Sequence, residues 1–290
     1  MENKVIYENI YSWSSFVKSS KTLKNFLIKM KKLYPYIKDY IWGGQKLIQS
    51  FHKAGGTARI AESWEFSVHN DGPSRLDNGI LLSEFVKDNP NLLGSNCQNG
   101  IEILIKLIDA ADNLSVQVHP NDKYAKKYNE RGKREMWYIV ESVAGAGIYC
   151  GLKNDMSKER LEKILQKGTI LHELNFYKVK KGDSFFIEAG TVHAIGKGIV
   201  LCEVQQSSNL TYRLHDYGRL GADKVPRQLH IKQALDVCNL NKFVCSNNTF
   251  FLSKSLKWLC GCKDFSVYEL TVEREFVFTT NQKSFACLVI

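Results

Sequence analysis

Residues 182–193 read Gly-Asp-Ser-Phe-Phe-Ile-Glu-Ala-Gly-Thr-Val-His. Gly182 and Gly190 bracket a short apolar run, the pattern of a strand held between tight turns, where glycine supplies the positive φ that other residues resist. The same texture extends outward in both directions: LSVQVHP at 114–120, MWYIVES at 136–142, IVLCEVQQ at 199–206, NLTYRLHDY at 209–217, then FSVYELTVEREFVFTT at 265–280 and SFACLVI at 284–290. Many short strands separated by turn residues predict a sandwich or barrel, mainly β. Helical stretches interrupt them. Residues 157–167 carry Ser157 as a cap and charges paired at i, i+4, and residues 228–237 also read as helix. Residues 99–111, NGIEILIKLIDAA, fit either a helix or a buried strand.

The bulk composition excludes several function classes. In 290 residues, 44% hydrophobic and 24% charged, there is room for a sizeable core and no reason to expect disorder. No apolar run approaches the roughly 18–20 residues of a spanning helix. The net charge of +10 is unevenly placed: residues 1–32 hold seven lysines against Glu2 and Glu8, which accounts for +5 of it. Residues 16–32 have the periodicity of a basic amphipathic helix, with Phe16, Leu23, Phe26, Leu27 and Met30 on one side. They are read as an extension with a solvated lysine face rather than as a membrane or nucleic-acid element. The eight cysteines form no CxxC pair, and Cys260-Gly261-Cys262 is poorly spaced for a metal or a disulfide. Free thiols in the reducing cytoplasm follow from this.

Residues two apart in a strand share a face. In 115–120, Val116 and Val118 therefore point one way and Gln117 and His119 the other. In 132–138, Lys133, Glu135 and Trp137 share parity; Glu203 stands opposite Cys202 and Val204, and Arg213 opposite Tyr212 and Leu214. Polar residues on a barrel's inner face need partners, and a metal ion would supply one.

Gly182, Gly190 and His193 fall in register with the second motif of the cupin barrels, with Glu188 where proline is usual, and Gln117-Val118-His119 with Glu135 resembles a degenerate first motif. Two histidines, a carboxylate and an amide oxygen suit Zn²⁺, and also Fe²⁺ or Mn²⁺. The resemblance narrows further at Gln205-Gln206-Ser207-Ser208-Asn209-Leu210-Thr211-Tyr212-Arg213-Leu214-His215-Asp216-Tyr217-Gly218-Arg219. This is similar to the signature of the type I mannose-6-phosphate isomerases in their compact bacterial form. The likeness includes Tyr40-Ile41-Trp42-Gly43-Gly44, Glu62-Ser63-Trp64-Glu65, GKREMWY (132–138) and AGTVHAIGKG (189–198), covering residues 33 to roughly 237 in order.

The resemblance implies a cupin (jelly-roll) β-barrel with helical insertions at 33–237, after a basic extension at 1–32. A second, smaller and incomplete cupin-like β domain is expected at 238–290. It implies Gln117, His119, Glu135 and His193 as metal ligands, and Arg213, Lys133 and Glu203 as catalytic groups. Lys106, Arg219 and Trp42 are then expected to bind substrate, with Lys106 and Arg213 leading as phosphate anchors. The implied activity is aldose–ketose isomerisation of mannose 6-phosphate and fructose 6-phosphate by a cytoplasmic monomer. The alternative is a non-catalytic sugar-phosphate-binding cupin, against which the full set of Lys133, Glu203 and Arg213 argues. A cupin dioxygenase is disfavoured by the TYRLHDYGR segment.

Overall fold

The computed structural model describes residues 10–11, 31–221, 223–245, 248–273 and 283–290. The amphipathic pattern at 16–32 therefore lies almost wholly outside the described residues. Eleven strands build the main body: β1 (Tyr36–Lys38), β2 (Glu62–Phe66), β3 (Ile103–Ala110), β4 (Val116–Val118), β5 (Glu135–Ser142), β6 (Gly147–Leu152), β7 (Leu174–Lys178), β8 (Ser184–Ile187), β9 (His193–Ile195), β10 (Ile199–Gln206) and β11 (Tyr212–His215). They form two antiparallel sheets, ordered β8-β5-β10-β3-β2-β1 and β7-β6-β9-β4-β11.

The ambiguous 99–111 stretch is a strand because it lies inside the six-stranded sheet with neighbours on both sides. Ile108 faces inward among Trp137, Ile139, Ile148, Ile195 and Leu201, a core that joins the two sheets. Leu107 faces outward against Leu47, Ile60 and Val200. Burial on both faces removes the alternation that would have identified a strand.

The outer face of the five-stranded sheet is apolar as well. Val116, Val118, Ala194, Tyr212 and Leu214 pack against Leu161 and Leu165 of the helix Lys158–Gln166 and Ala234 of the helix Ile231–Val237. The Ser157 side chain caps the first of these, accepting from the Arg160 amide.

Three further strands, β12 (Phe250–Phe251), β13 (Leu256–Gly261) and β14 (Ser266–Leu270), make a small sheet. Leu259, Cys260 and Phe265 bury with Phe66, Met136 and Val204, so this sheet covers part of the outer face of the six-stranded one. Within 265–280 the described strand ends at Leu270, and residues 274–282 lie outside the described residues.

Gly182 and Gly190 both adopt φ of 88°. At Gly190 a Cβ would also approach the Val237 carbonyl to 2.8 Å, so the turn before His193 excludes a side chain on two counts. Glu188, where proline was expected, receives the Arg134 Nε at 2.8 Å, and its carbonyl accepts from the Thr191 amide.

Candidate active site

Register places the polar residues in two rows. Across the six-stranded sheet Trp64, Lys106, Glu203, Trp137 and Phe185 are successive lateral neighbours on β2, β3, β10, β5 and β8. Across the five-stranded sheet the corresponding row is Cys150, His193, Gln117 and Arg213 on β6, β9, β4 and β11. A cavity of about 270 Å³ is lined by Lys106 and Glu203 from the first row and Gln117 and Arg213 from the second, together with Lys133, Trp42, Tyr40, Glu62 and Arg227.

Where the rows meet, His119, Glu135 and His193 form a buried cluster whose ligand atoms lie within 4.8 Å of one another. His119 Nε2 stands 3.1 Å from Glu135 Oε1, and His193 Nε2 3.7 Å from Glu135 Oε2. Each histidine's other nitrogen is engaged by a backbone carbonyl: His119 Nδ1 with Leu210 O at 3.0 Å, His193 Nδ1 with Thr191 O at 2.9 Å. A carbonyl only accepts, so the proton sits on Nδ1 and the Nε2 lone pair of both rings is presented to the cluster. His193 Nε2 is fully buried and has no hydrogen-bond partner among the described residues. An unsatisfied buried polar atom costs about 1–3 kcal/mol, a cost that a bound cation would remove. Burial pushes the His119 imidazole down to about 3, with Lys133 adding to the effect, and burial lowers His193 too. Both rings are therefore neutral, as ligands must be. Burial works to raise the Glu135 carboxyl, but the Lys133 charge 3.0 Å away opposes it and Glu135 stays well below the usual range. Two neutral imidazoles and a carboxylate suit a borderline divalent metal, and Gln117, beside His193 in register, can add an amide oxygen.

Lys133 Nζ sits 3.0 Å from Glu135 Oε1 and 3.3 Å from His119 Nε2. Lys106 Nζ, 4% exposed by side chain, lies 3.4 Å from Glu203 and 3.5 Å from Glu62, over the Trp64 ring at 4.7 Å. The sheet buries this lysine in the cavity wall. Burial and the nearby Glu135 charge raise the Glu203 carboxyl to about 7, against the opposing pull of Lys106 and Lys133. Trp137 Nε1 is shared between Glu203 Oε1 at 2.9 Å and Glu135 Oε2 at 3.1 Å, which ties that carboxyl to the histidine cluster.

Trp42 lines the cavity and stacks on Tyr40, centroids 5.6 Å apart. Trp64 packs beneath Lys106 and donates to Glu62 at 2.6 Å. Arg213 lines the cavity and donates to Gln228 O at 2.8 Å. Arg219 is not in the lining. Its guanidinium is taken by Asp216 at 2.7 Å, Asp112 at 3.2 Å and the Asn113 carbonyl. The sequence reading missed Arg227, which sits in a loop without alternation or motif, and gave no role to Trp137, whose parity alone did not say what its indole N–H would meet. His69 and His215 stay outside: His69 borders a separate open depression, and His215 packs edge-on to Tyr217.

Residues 30–139 match the family described as phosphomannose isomerase type I, catalytic domain. Mannose-6-phosphate isomerase ManA of Bacillus subtilis (strain 168) is 41% identical over 209 residues, 70% of this chain and 66% of that protein. The chain thus spans just under two thirds of ManA's length. The probable mannose-6-phosphate isomerase GmuF of the same strain is 37% identical, covering 72% of this chain and 68% of its own. In three dimensions, a crystal structure of the mannose 6-phosphate isomerase from Bacillus subtilis superimposes with a TM-score of 0.76 at 31% identity, covering 82% of this chain and 78% of that one.

Proposed function

This chain belongs to the type I phosphomannose isomerase family, and from that premise we propose that it interconverts mannose 6-phosphate and fructose 6-phosphate. The metal would be held by Gln117, His119, Glu135 and His193, a donor set that suits zinc and also permits Fe²⁺ or Mn²⁺. The observation that carries the reading is the placement of Glu203, a buried carboxyl on the same cavity as Gln117 and linked to Glu135 through one indole N–H.

Aldose–ketose exchange moves one hydrogen between C1 and C2 and one proton between the oxygens those carbons bear, and negative charge develops on those oxygens in between. When bound, the metal supplies Lewis-acid stabilisation of that charge. The chain's own groups do the rest. Glu203, held at about 7, takes a proton from one carbon and returns it to the next without being locked in either state at neutral pH. Trp137 and Lys106 fix its two oxygens, at 2.9 and 3.4 Å. Lys133 is a weaker choice as base because it stands against His119 and Glu135; its charge serves the developing oxyanion instead. Trp42 and Tyr40 wall the cavity against water. A non-catalytic sugar-phosphate binder has no use for a buried carboxyl held near neutrality beside such a cluster. We read the protein as a cytoplasmic monomer acting on this small anionic substrate; its eight cysteines are free, and none of the described helices is long and apolar enough to cross a membrane.

The test is turnover of mannose 6-phosphate to fructose 6-phosphate by purified protein, before chelation, after it, and with Zn²⁺, Fe²⁺ or Mn²⁺ restored. Activity lost to the chelator and regained with zinc is the expected result. Folded protein that stays inactive with every metal would overturn the catalytic reading in favour of the binding one.

A further inference from the structure

We propose that Arg227 and Arg213 together grip the phosphate monoester of the substrate, and that buried Asp216 is the positioning residue that holds Arg227 for it. This rests on the sugar-phosphate reading above and gives that substrate an orientation in the cavity.

The argument begins with charge. Of the cations lining the cavity, Lys106 lies between Glu62 and Glu203, and Lys133 against Glu135. Their charges are matched by carboxylates. Arg213 has no carboxylate within ion-pair distance among the described residues, and its Nε is buried without a hydrogen-bond partner. Arg227 lines the same cavity and shares the one carboxylate it meets among the described residues: Asp216 accepts from Arg227 Nε at 2.8 Å and Nη2 at 2.5 Å, and from Arg219 Nη2 at 2.7 Å. Three guanidinium groups, those of Arg213, Arg219 and Arg227, share two aspartates, Asp216 and Asp112, which leaves one positive charge uncompensated on this side of the cavity. Burial and the like charge of Arg227 lower the Arg213 pKa, and Asp216, which opposes them, does not offset them.

The backbone builds the two arginines as a unit. Arg213 Nη1 donates to Gln228 O at 2.8 Å, the Arg213 amide donates to His230 Nδ1 at 3.2 Å, and the His230 amide returns to Arg213 O at 2.8 Å. Leu220 and Pro226 bridge across the neck of the loop between Arg219 and Arg227, so Asp216 clamps both ends of that loop. Asp216 is 5% exposed, and a carboxylate so placed is there to orient its partners.

A phosphate monoester dianion presents several oxygens to planar donors, and two guanidinium groups match it better than an ammonium does. Arg219, which the resemblance implied as a substrate-binding residue, is spent on Asp216 and Asp112 instead. With the phosphate on Arg213 and Arg227, the other end of the open-chain sugar extends toward Glu203 and the histidine cluster, as the isomerisation requires.

The test compares wild type with Arg227→Gln and Asp216→Asn, reading KM and kcat for mannose 6-phosphate and the inhibition constant for inorganic phosphate. For Arg227→Gln we expect KM and the phosphate inhibition constant to rise together, by about 10- to 100-fold, with kcat much less affected. Asp216→Asn should shift both constants the same way and less. If wild type turns over mannose 6-phosphate while both constants are unchanged in Arg227→Gln, the phosphate assignment is overturned and the isomerase reading stands. If wild type shows no turnover, the isomerase reading fails. Calorimetric titration with inorganic phosphate then decides the assignment alone, weaker binding by Arg227→Gln supporting it and equal binding overturning it. Should Arg227→Gln not fold, Arg227→Lys, which keeps the charge and loses the fork, must raise the same two constants; unchanged values overturn the proposal.

Discussion

The six-stranded sheet buries a lysine against a glutamate on each of its faces. On the inner face Lys106 Nζ stands 3.4 Å from Glu203 and 3.5 Å from Glu62, loosely held and open to a cavity of about 270 Å³. On the outer side, toward Cys202, Lys53 Nζ lies 2.9 Å from one oxygen of Glu65 and 3.0 Å from the other. Both pairs are almost wholly buried. The outer pair closes on itself under the loops that cover it. The inner one is kept apart by a facing sheet that contributes His119, His193, Gln117 and Arg213, and by a third carboxylate, Glu135, that competes for the same cations. Buried charge alone therefore does not mark a site; buried charge that is imperfectly matched and faces a cavity does.

The sharpest way to break this comparison is at the ligand cluster. His193→Gln should remove one of the two imidazole donors, lower the bound metal measured per chain, and reduce turnover by about 10⁴-fold, several kcal/mol of lost transition-state stabilisation. Retention of metal and rate by that variant would place the metal elsewhere. Next in size is Glu203→Gln, which keeps the shape and the Trp137 contact while removing the titrating group. A fall in kcat of about 10²- to 10⁴-fold with little change in thermal midpoint is expected. A variant with wild-type kcat would exclude Glu203 as the base.

How much of this contrast the sequence carried depended on alternation. Parity grouped Gln117 with His119 and Lys133 with Glu135 and set Glu203 and Arg213 apart from their apolar neighbours; in the structure Gln117, Lys133, Glu203 and Arg213 line the cavity, and His119 and Glu135 meet in the buried cluster. Lys106 was harder because ILIKLIDA is buried on both faces and has lost its period. Register is a long-range property. Nothing local to Trp137 says that β10 will set Glu203 beside it, and nothing local to Arg227 says that Asp216 will reach back eleven positions to hold it. Arg219 shows the converse: a recognisable motif position whose guanidinium is consumed by neighbours the motif does not specify. The Lys53–Glu65 pair was invisible for the same reason, since both partners look like ordinary surface charges until the fold buries them.

That outer pair supplies the smallest effects and the finest control. Lys53→Met or Glu65→Leu alone leaves an uncompensated buried group and should cost about 3–5 kcal/mol of stability with kcat unchanged, whereas the double variant should match or exceed wild type. The pH dependence separates the partners. Burial raises the Glu65 carboxyl from 4.5 to about 7, with Lys53 opposing, so its contribution favours the fold below about 4.5 and is lost as pH rises through about 7. Burial lowers the Lys53 ammonium from 10.5 to about 8, with Glu65 opposing, so its contribution is present above 10.5 and lost as pH falls through about 8. Relative to the double variant, wild type should therefore be least stable between pH 7 and 8 and gain on either side, as read by denaturant midpoints across that range. Parallel curves for the two proteins would mean that the pair titrates as it does in the unfolded chain, and that the outer face of the sheet is wetter than its packing implies.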